Sequence, residues 1–388
     1  MSLVSELPAR FDPFPLYREL REDSPVLFDA AQGVWHLFRY DDVQRALSEH
    51  AVFSSRMRGG REPDQDHLFA SSLISTDPPR HRQLRSLVSE AFTPRAVAAL
   101  EPRISEIVEE LLDRVGATGS MDLIDDFAYP LPVIVIAELM GIPAEDRDRF
   151  KRWSDTVVSQ VRDYEDSPGR TAAQQEMAEY FFAMIERRRR DPGEDLISRL
   201  LAAQVDGEHL SVMELLGFCA LLLVAGNETT TNLLGNAVLT FAEWPGTIDR
   251  LRAESGALPS AIEEVLRFRS PVQSMFRVTT QDTVVGGTAI PAGSRLAAWI
   301  GSANRDGRQF PDPDAFTLER HPNRHLAFGQ GIHFCLGAPL ARLEARVALS
   351  ALLARLPGLS LAPGAPLERI DSTIIFGPRQ LPVHWQPA

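Results

Sequence analysis

Two cysteines in 388 residues are too few for a disulfide framework and fit a reducing compartment. Lysine is nearly absent: Lys151 is the only one among 40 basic residues, a pattern of arginine-rich coding that does not match the Lys/Glu enrichment of hyperthermophiles. Positive charge is in deficit, with a net charge of −13, which argues against bulk nucleic-acid binding. There is no Gly/Ser linker, no low-complexity tract and no short-period repeat, and the 28 prolines are scattered. We therefore expect one domain over 1–388, large enough for a deep core and a buried cofactor. Residues 1–10 hold no apolar stretch of the signal or anchor kind, so a cytoplasmic chain with no membrane attachment is expected.

What is present reads as mainly α with small β-sheets. Residues 34–40 have strand character, and Asp41 follows as a helix cap. From Thr93 to Arg190 nearly everything has helical period, with Ile104, Ile107, Val108, Leu111 and Leu112 on one face. Residues 283–290 form a hairpin about Gly286-Gly287, and 373–376 with 381–385 form a last strand pair. Arg187 to Arg190 read as a solvated helix end.

One cysteine lies in an unusual place. Phe328-Gly329-Gln330-Gly331-Ile332-His333-Phe334-Cys335-Leu336-Gly337 sets it between glycines, just before an apolar helix. Glycines there let backbone approach a flat group closely. The first amides of the following helix can stabilise a thiolate. His333 and Cys335 alone do not make a zinc site, because no second pair follows at ligand spacing.

A second anomaly interrupts the longest apolar run. Ser211 and Glu214 make a capping-box signature, and the helix they open continues to Phe241. In its middle stand Ala225-Gly226-Asn227-Glu228-Thr229-Thr230-Thr231. Glycine weakens a helix by about 1 kcal/mol relative to alanine. A buried glutamate needs a partner, and threonine can bond back and bend the helix. Such violations mark functional sites. The polar residues also break the run short of a membrane span.

Together these stretches resemble the cytochrome P-450 monooxygenases, soluble bacterial or archaeal members in particular. Phe328, Gly331, Cys335 and Gly337 fill the family's haem-loop pattern, and 225–229 look like its oxygen-binding groove. The resemblance implies haem b with Cys335 as axial iron ligand. It implies that Gly226, beside Ala225, makes room for dioxygen, that Thr229 donates a hydrogen bond to the oxygen, and that Glu228 relays protons. His81 and Arg85, four apart on one helix, would hold the propionates together with Arg277 and His333. Glu264 and Arg267, on a helix capped by Ser260, would form a structural network with Arg320.

By position relative to these motifs, Leu221, Val224, Ala225, Val272, Met275, Ile374 and Ile375 are the pocket candidates. Residues 56–74, with Gly59-Gly60, are a candidate lid. The implied reaction inserts one atom of O2 into a hydrophobic small molecule of fatty acid, terpenoid or steroid type. A fatty acid would need Arg56 or Arg58 for its carboxylate. No reductase segment is present, so electrons come from an external carrier such as a ferredoxin with its reductase, docked on Arg82, Arg324, Arg342 and Arg346. Two alternatives stay open: a peroxide-driven peroxygenase and a non-catalytic haem sensor or carrier.

Overall fold

The computed structural model describes residues 12–56, 72–89, 92–116, 118–146, 149–150, 152–153, 168–204 and 207–386. Among these the helices are α1 (Phe14–Asp23), α2 (Tyr40–Ser48), α3 (Arg80–Ser89), α4 (Pro94–Ala98), α5 (Glu101–Val115), α6 (Pro130–Leu139), α7 (Pro168–Arg190), α8 (Leu196–Ala202), α9 (Val212–Glu243), α10 (Thr247–Ala253), α11 (Leu258–Phe268), α12 (Ile300–Ala303) and α13 (Ala338–Arg355). The strands are β1 (Val26–Asp29), β2 (Val34–Leu37), β3 (Phe53–Ser54), β4 (Ser120–Asp122), β5 (Ser274–Thr279), β6 (Thr283–Val285), β7 (Thr288–Ile290), β8 (Arg295–Trp299), β9 (Ser360–Leu361) and β10 (Pro382–His384). This is the expected helical body with small sheets.

Helix α9 organises the body. Ser211 Oγ accepts from Glu214 N at 3.2 Å, and the Glu214 carboxylate accepts from Ser211 N at 2.9 Å, closing the capping box. The helix runs to Glu243 and packs on α6, α7, α11 and α13. Contrary to the sequence expectation, its length and apolarity do suffice for a membrane span. Its place among the other helices is what accounts for its apolar surface: 215–220 and 230–241 are buried, and its apolar side chains there belong to one core. The apolar face of α5 is buried as its spacing demands, with Ile104, Ile107, Val108, Leu111 and Leu112 all at most 1% exposed.

The larger sheet has the order β1-β2-β8-β5-β3, with β2 and β8 parallel and the other pairs antiparallel. The strand expected over 34–40 stops at Leu37 and pairs with β1, which the sequence reading missed. Asp41 is not the cap of α2: Arg39 holds that position without a side-chain bond, and Asp306 Oδ2, far along the chain, accepts from Tyr40 N at 3.0 Å. Ser260 is likewise no cap. Helix α11 begins two residues earlier, with proline in its first turn, and the Ser260 hydroxyl donates to Leu318 O.

The hairpin β6–β7 turns on Gly286 and Gly287, at φ 54° and 83°. The expected last strand pair does not form. Strand β10 lies between β4 and β9, while 374–376 bond instead to the segment before β5. There Gln273 N donates to Ile374 O at 2.6 Å and Phe376 N to Pro271 O at 2.8 Å. Arg188 is not a solvated cation either, since it pairs with Asp195 at 2.6 Å.

Candidate active site

Cys335 N donates to Phe328 O at 2.8 Å, folding the glycine-rich segment into a loop ahead of α13. Gly331 is at φ 69°, and a Cβ there would lie 2.9 Å from Ser48 Cα, so only glycine lets the loop rest on the end of α2. Gly337 is the N-cap of α13 and has open space about it. Burial pushes the Cys335 thiol up, while the amides of Gly337 and Ala338 and the cations Arg85 and Arg342 oppose this. The loop is thus built to favour a thiolate once a metal replaces the proton.

A cavity of about 250 Å³ lies between this loop and α9. That far exceeds the room one water needs, so it is a ligand site. Cys335, Phe328, Gly337, His333 and Arg85 line it from one side; Leu221, Ala225, Gly226 and Thr229 line it from α9, and Val272 and Met275 from the β5 side. Val224, Ile374 and Ile375 are not lining residues. Val224 packs on the core, and Ile375 is bridged to Val272. Leu73, Ile74, Phe92, Ile136 and Phe218 complete an apolar wall that spacing alone did not disclose. Of the candidate lid, 57–71, with Arg58 and Gly59-Gly60, lies outside the described residues.

On α9, Thr229 Oγ1 lies 2.8 Å from Ala225 O and donates to it, the back-bonding open to a threonine one turn on. Its proton is therefore engaged, and its lone pairs are what it offers the cavity. Gly226 abuts α6: a Cβ would meet Ile136 Cδ1 at 3.0 Å. Glu228 does not line the cavity; its Oε1 accepts from Asn232 Nδ2 at 3.2 Å.

At the cavity edge four cationic or protonatable groups converge. His81 and His333 meet edge to face, with ring centroids 4.4 Å apart. Burial, then the positive neighbours Arg277, His81 and Arg85, pushes His333 down to about 3, and burial with Arg85 lowers His81. Arg277 is 4% exposed, donates to Phe276 O, and is brought down to about 10 by desolvation. His81 Nε2 is buried without a hydrogen-bond partner among the described residues. The acid acting on this group is Asp77, itself held by Ser54 and Ser55 N. Ser55 Oγ also reaches His333 Nε2 at 2.9 Å. Such an excess of buried positive potential calls for a polyanionic ligand.

Behind the loop, Glu264 and Arg267 are fully buried rather than a surface pair. Glu264 accepts from Arg267 at 2.7 and 2.8 Å, from Arg320 Nε at 2.9 and 3.1 Å, from Asn323 Nδ2 and from Thr317 N. Arg267 spends its remaining protons on the carbonyls of Asn304, Pro313 and Ala315.

The sequence reading missed Glu344, which lines the cavity from α13. It is wholly buried, bonded by Thr230 and pushed up to about 8 by desolvation. Its one signal was an acid within an apolar helix.

The Cys335 loop thus faces the polar stretch of α9 across one cavity, with Arg85 and His333 among its lining residues. The chain belongs to the cytochrome P450 family, whose sequence model matches residues 24–381. It is 45% identical to Cytochrome P450 109 of Bacillus spizizenii over 96% of this chain and 92% of that protein. It is 42% identical to the erythromycin C-12 hydroxylase of Saccharopolyspora erythraea, over 99% and 98% respectively. Among solved structures, CYP109E1 from Bacillus megaterium in complex with testosterone superimposes with a TM-score of 0.92 at 42% identity, covering 99% of this chain and all of that one. The protein is accordingly a P450 monooxygenase, an oxidoreductase that uses haem iron.

Proposed function

We propose that this monooxygenase holds haem b on Cys335, works as a single domain in the cytoplasm, and oxidises a neutral, apolar, steroid-sized molecule with electrons from a separate ferredoxin-type carrier. The carrying observation is that Cys335 and Thr229 line one apolar cavity whose edge gathers His81, Arg85, Arg277 and His333.

These residues fit a haem. Among the described residues His81 Nε2 lacks a hydrogen-bond partner, which a propionate would supply, and the buried Arg277 feels Asp77, an acid it shares with His81. When bound, haem iron supplies dioxygen activation and oxygen transfer. The chain's own residues do the rest. Gly337 and Ala338 amides hold the negative charge of the Cys335 sulfur. Thr229, whose hydroxyl donates to Ala225 O at 2.8 Å, stands in the groove as the proton-handling alcohol, with lone pairs left to accept. Glu228, the next residue back, passes protons inward toward it. The Ile136 and Gly226 wall, with Phe218 and Leu221, excludes other water from the reacting carbon.

The substrate class follows from the lining. The basic groups there are Arg85 and His333, which would hold the haem's acid edge, and Arg56 is exposed and 3.9 Å from Asp77. Among the described residues nothing is left for a fatty-acid carboxylate, which favours a neutral ligand. The B. megaterium relative with testosterone bound supports that size and polarity. For the carrier, Arg82 and Arg324 are exposed, as is Phe334 in the cysteine loop, whereas Arg342 and Arg346 already pair with Glu263 and Glu101.

The test is the spectrum of the dithionite-reduced protein under carbon monoxide, followed by titration with testosterone. A strongly red-shifted Soret band, lost in Cys335→Ser, is expected, together with a low-spin to high-spin shift on adding the steroid. A histidine-like band would overturn the thiolate assignment. Product carrying one atom of labelled dioxygen completes the reading.

A further inference from the structure

Two cations act on the Cys335 sulfur, Arg85 and Arg342, and they stand in different surroundings. Arg85 lines the cavity. Arg342, on the second turn of α13, does not line it. Its guanidinium lies over the Phe328 ring, 4.5 Å from the centroid, and the Phe328 carbonyl accepts from Cys335 N at 2.8 Å. The cation is therefore set against the loop that carries the sulfur.

Among the described residues one acid answers that cation. Glu263, on α11, accepts from Arg342 Nε at 2.6 Å and from Nη2 at 2.8 Å, a forked pair that fixes the plane of the guanidinium. His325, three residues before Phe328, completes the cluster. Its Nδ1 accepts from Ala327 N at 3.2 Å, so its proton sits on Nε2, which donates to Glu263 Oε2 at 3.1 Å. Burial works to raise the Glu263 carboxyl, but the bonds from Arg342 and His325 outweigh it and bring it down to about 2. Glu263 thus stays a carboxylate and cancels the charge of Arg342 where that charge acts on Cys335.

We propose that Glu263 sets the reduction potential of the haem on Cys335 by cancelling the Arg342 charge beside the thiolate. This rests on the haem-thiolate reading above. Taking up one electron gives the haem and its thiolate one more negative charge, which an uncompensated cation nearby stabilises. Arg342 left without Glu263 makes reduction easier, and Glu263 left without Arg342 makes it harder. The two removals act with opposite sign, which a shared loss of packing does not produce.

The test measures the reduction potential of the substrate-free, haem-loaded protein by optical titration with dithionite and mediators. It compares wild type, Glu263→Gln, Arg342→Gln, the double variant and Arg342→Lys. Glu263→Gln should raise the equilibrium constant for one-electron reduction by about threefold to tenfold, tenfold being about 59 mV. Arg342→Gln should lower it by a similar factor. The double variant should return close to wild type, because both charges act on the same centre. Arg342→Lys keeps the charge without the fork and should also stay near wild type. The carbon monoxide band should hold its thiolate position throughout. Should Glu263→Gln not fold, Arg342→Gln and Arg342→Lys carry the same test.

A potential unmoved in both single Gln variants, or moved in the same direction by both, overturns the proposal and leaves the haem-thiolate reading intact. A histidine-like carbon monoxide band in wild type overturns that reading, and the potential-setting role with it.

Discussion

His81 and His333 meet with ring centroids 4.4 Å apart, and both imidazoles are held neutral by burial and by the arginines beside them. Two histidines so placed, with Arg85 and Arg277 close enough to depress them, are an anion site waiting for negative charge. Arg277→Ala and His81→Ala should therefore each lower haem retention several-fold, read as the Soret-to-protein absorbance ratio after gel filtration. Retention equal to wild type in the double variant would remove the propionate assignment.

Thr229 gives a separate prediction. Thr229→Val keeps the shape but removes both the bond to Ala225 O and the lone pairs, whereas Thr229→Ser keeps both. Valine should lower product per reductant by about tenfold to a hundredfold, with serine close to wild type. Equal coupling in all three proteins would show that the hydroxyl takes no part in proton handling.

Glu264 is a matter of stability. Glu264→Ala strands two buried guanidiniums, and loss of one partner from a buried pair costs about 3–5 kcal/mol. The midpoint of urea unfolding should fall accordingly, while Arg320→Ala, whose removal leaves Arg267 paired, should cost less.

Glu344 should make stability depend on pH. Its native carboxyl keeps a proton up to about 8, against 4.5 ordinarily, so the native state binds a proton that the unfolded chain releases. That contribution is fully present below about 4.5 and is lost as pH climbs toward 8. Glu344→Gln does not titrate, so its melting temperature should gain on that of wild type between pH 5 and 8. The corresponding difference in unfolding free energy should be on the order of a few kcal/mol. Parallel pH profiles would mean the carboxyl is hydrated and ionised.

Much of this molecule is legible in one dimension because its rules are local. The capping box at Ser211 and Glu214, the glycine turn at 286–287 and the apolar face of α5 each depend on residues within a turn or two. The Cys335 loop is legible for the same reason: one glycine-spaced segment carries it. What escaped reading is held by distant chain. Asp306 caps α2 in place of Asp41, and β10 pairs with β4 across more than 250 residues of sequence. The apolar wall of the cavity escaped too, since Ile136 and Phe92 look like any buried side chain until the fold brings them beside α9. Val224 and Ile375 erred in the opposite sense, being near the motifs in sequence but turned to other neighbours.

The contact of Gly331 with Ser48, and of Ser55 with His333, bears on how the protein is made. Residues that support the cysteine loop are translated first, and the loop itself follows some 278 residues later. A nascent chain thus carries His81 and Arg85 for most of its synthesis, without Arg277, His333 or Cys335, the iron ligand proposed above. Haem capture is then a late event, coupled to chain completion, and nascent chains halted before residue 335 should emerge colourless however much haem the cell supplies.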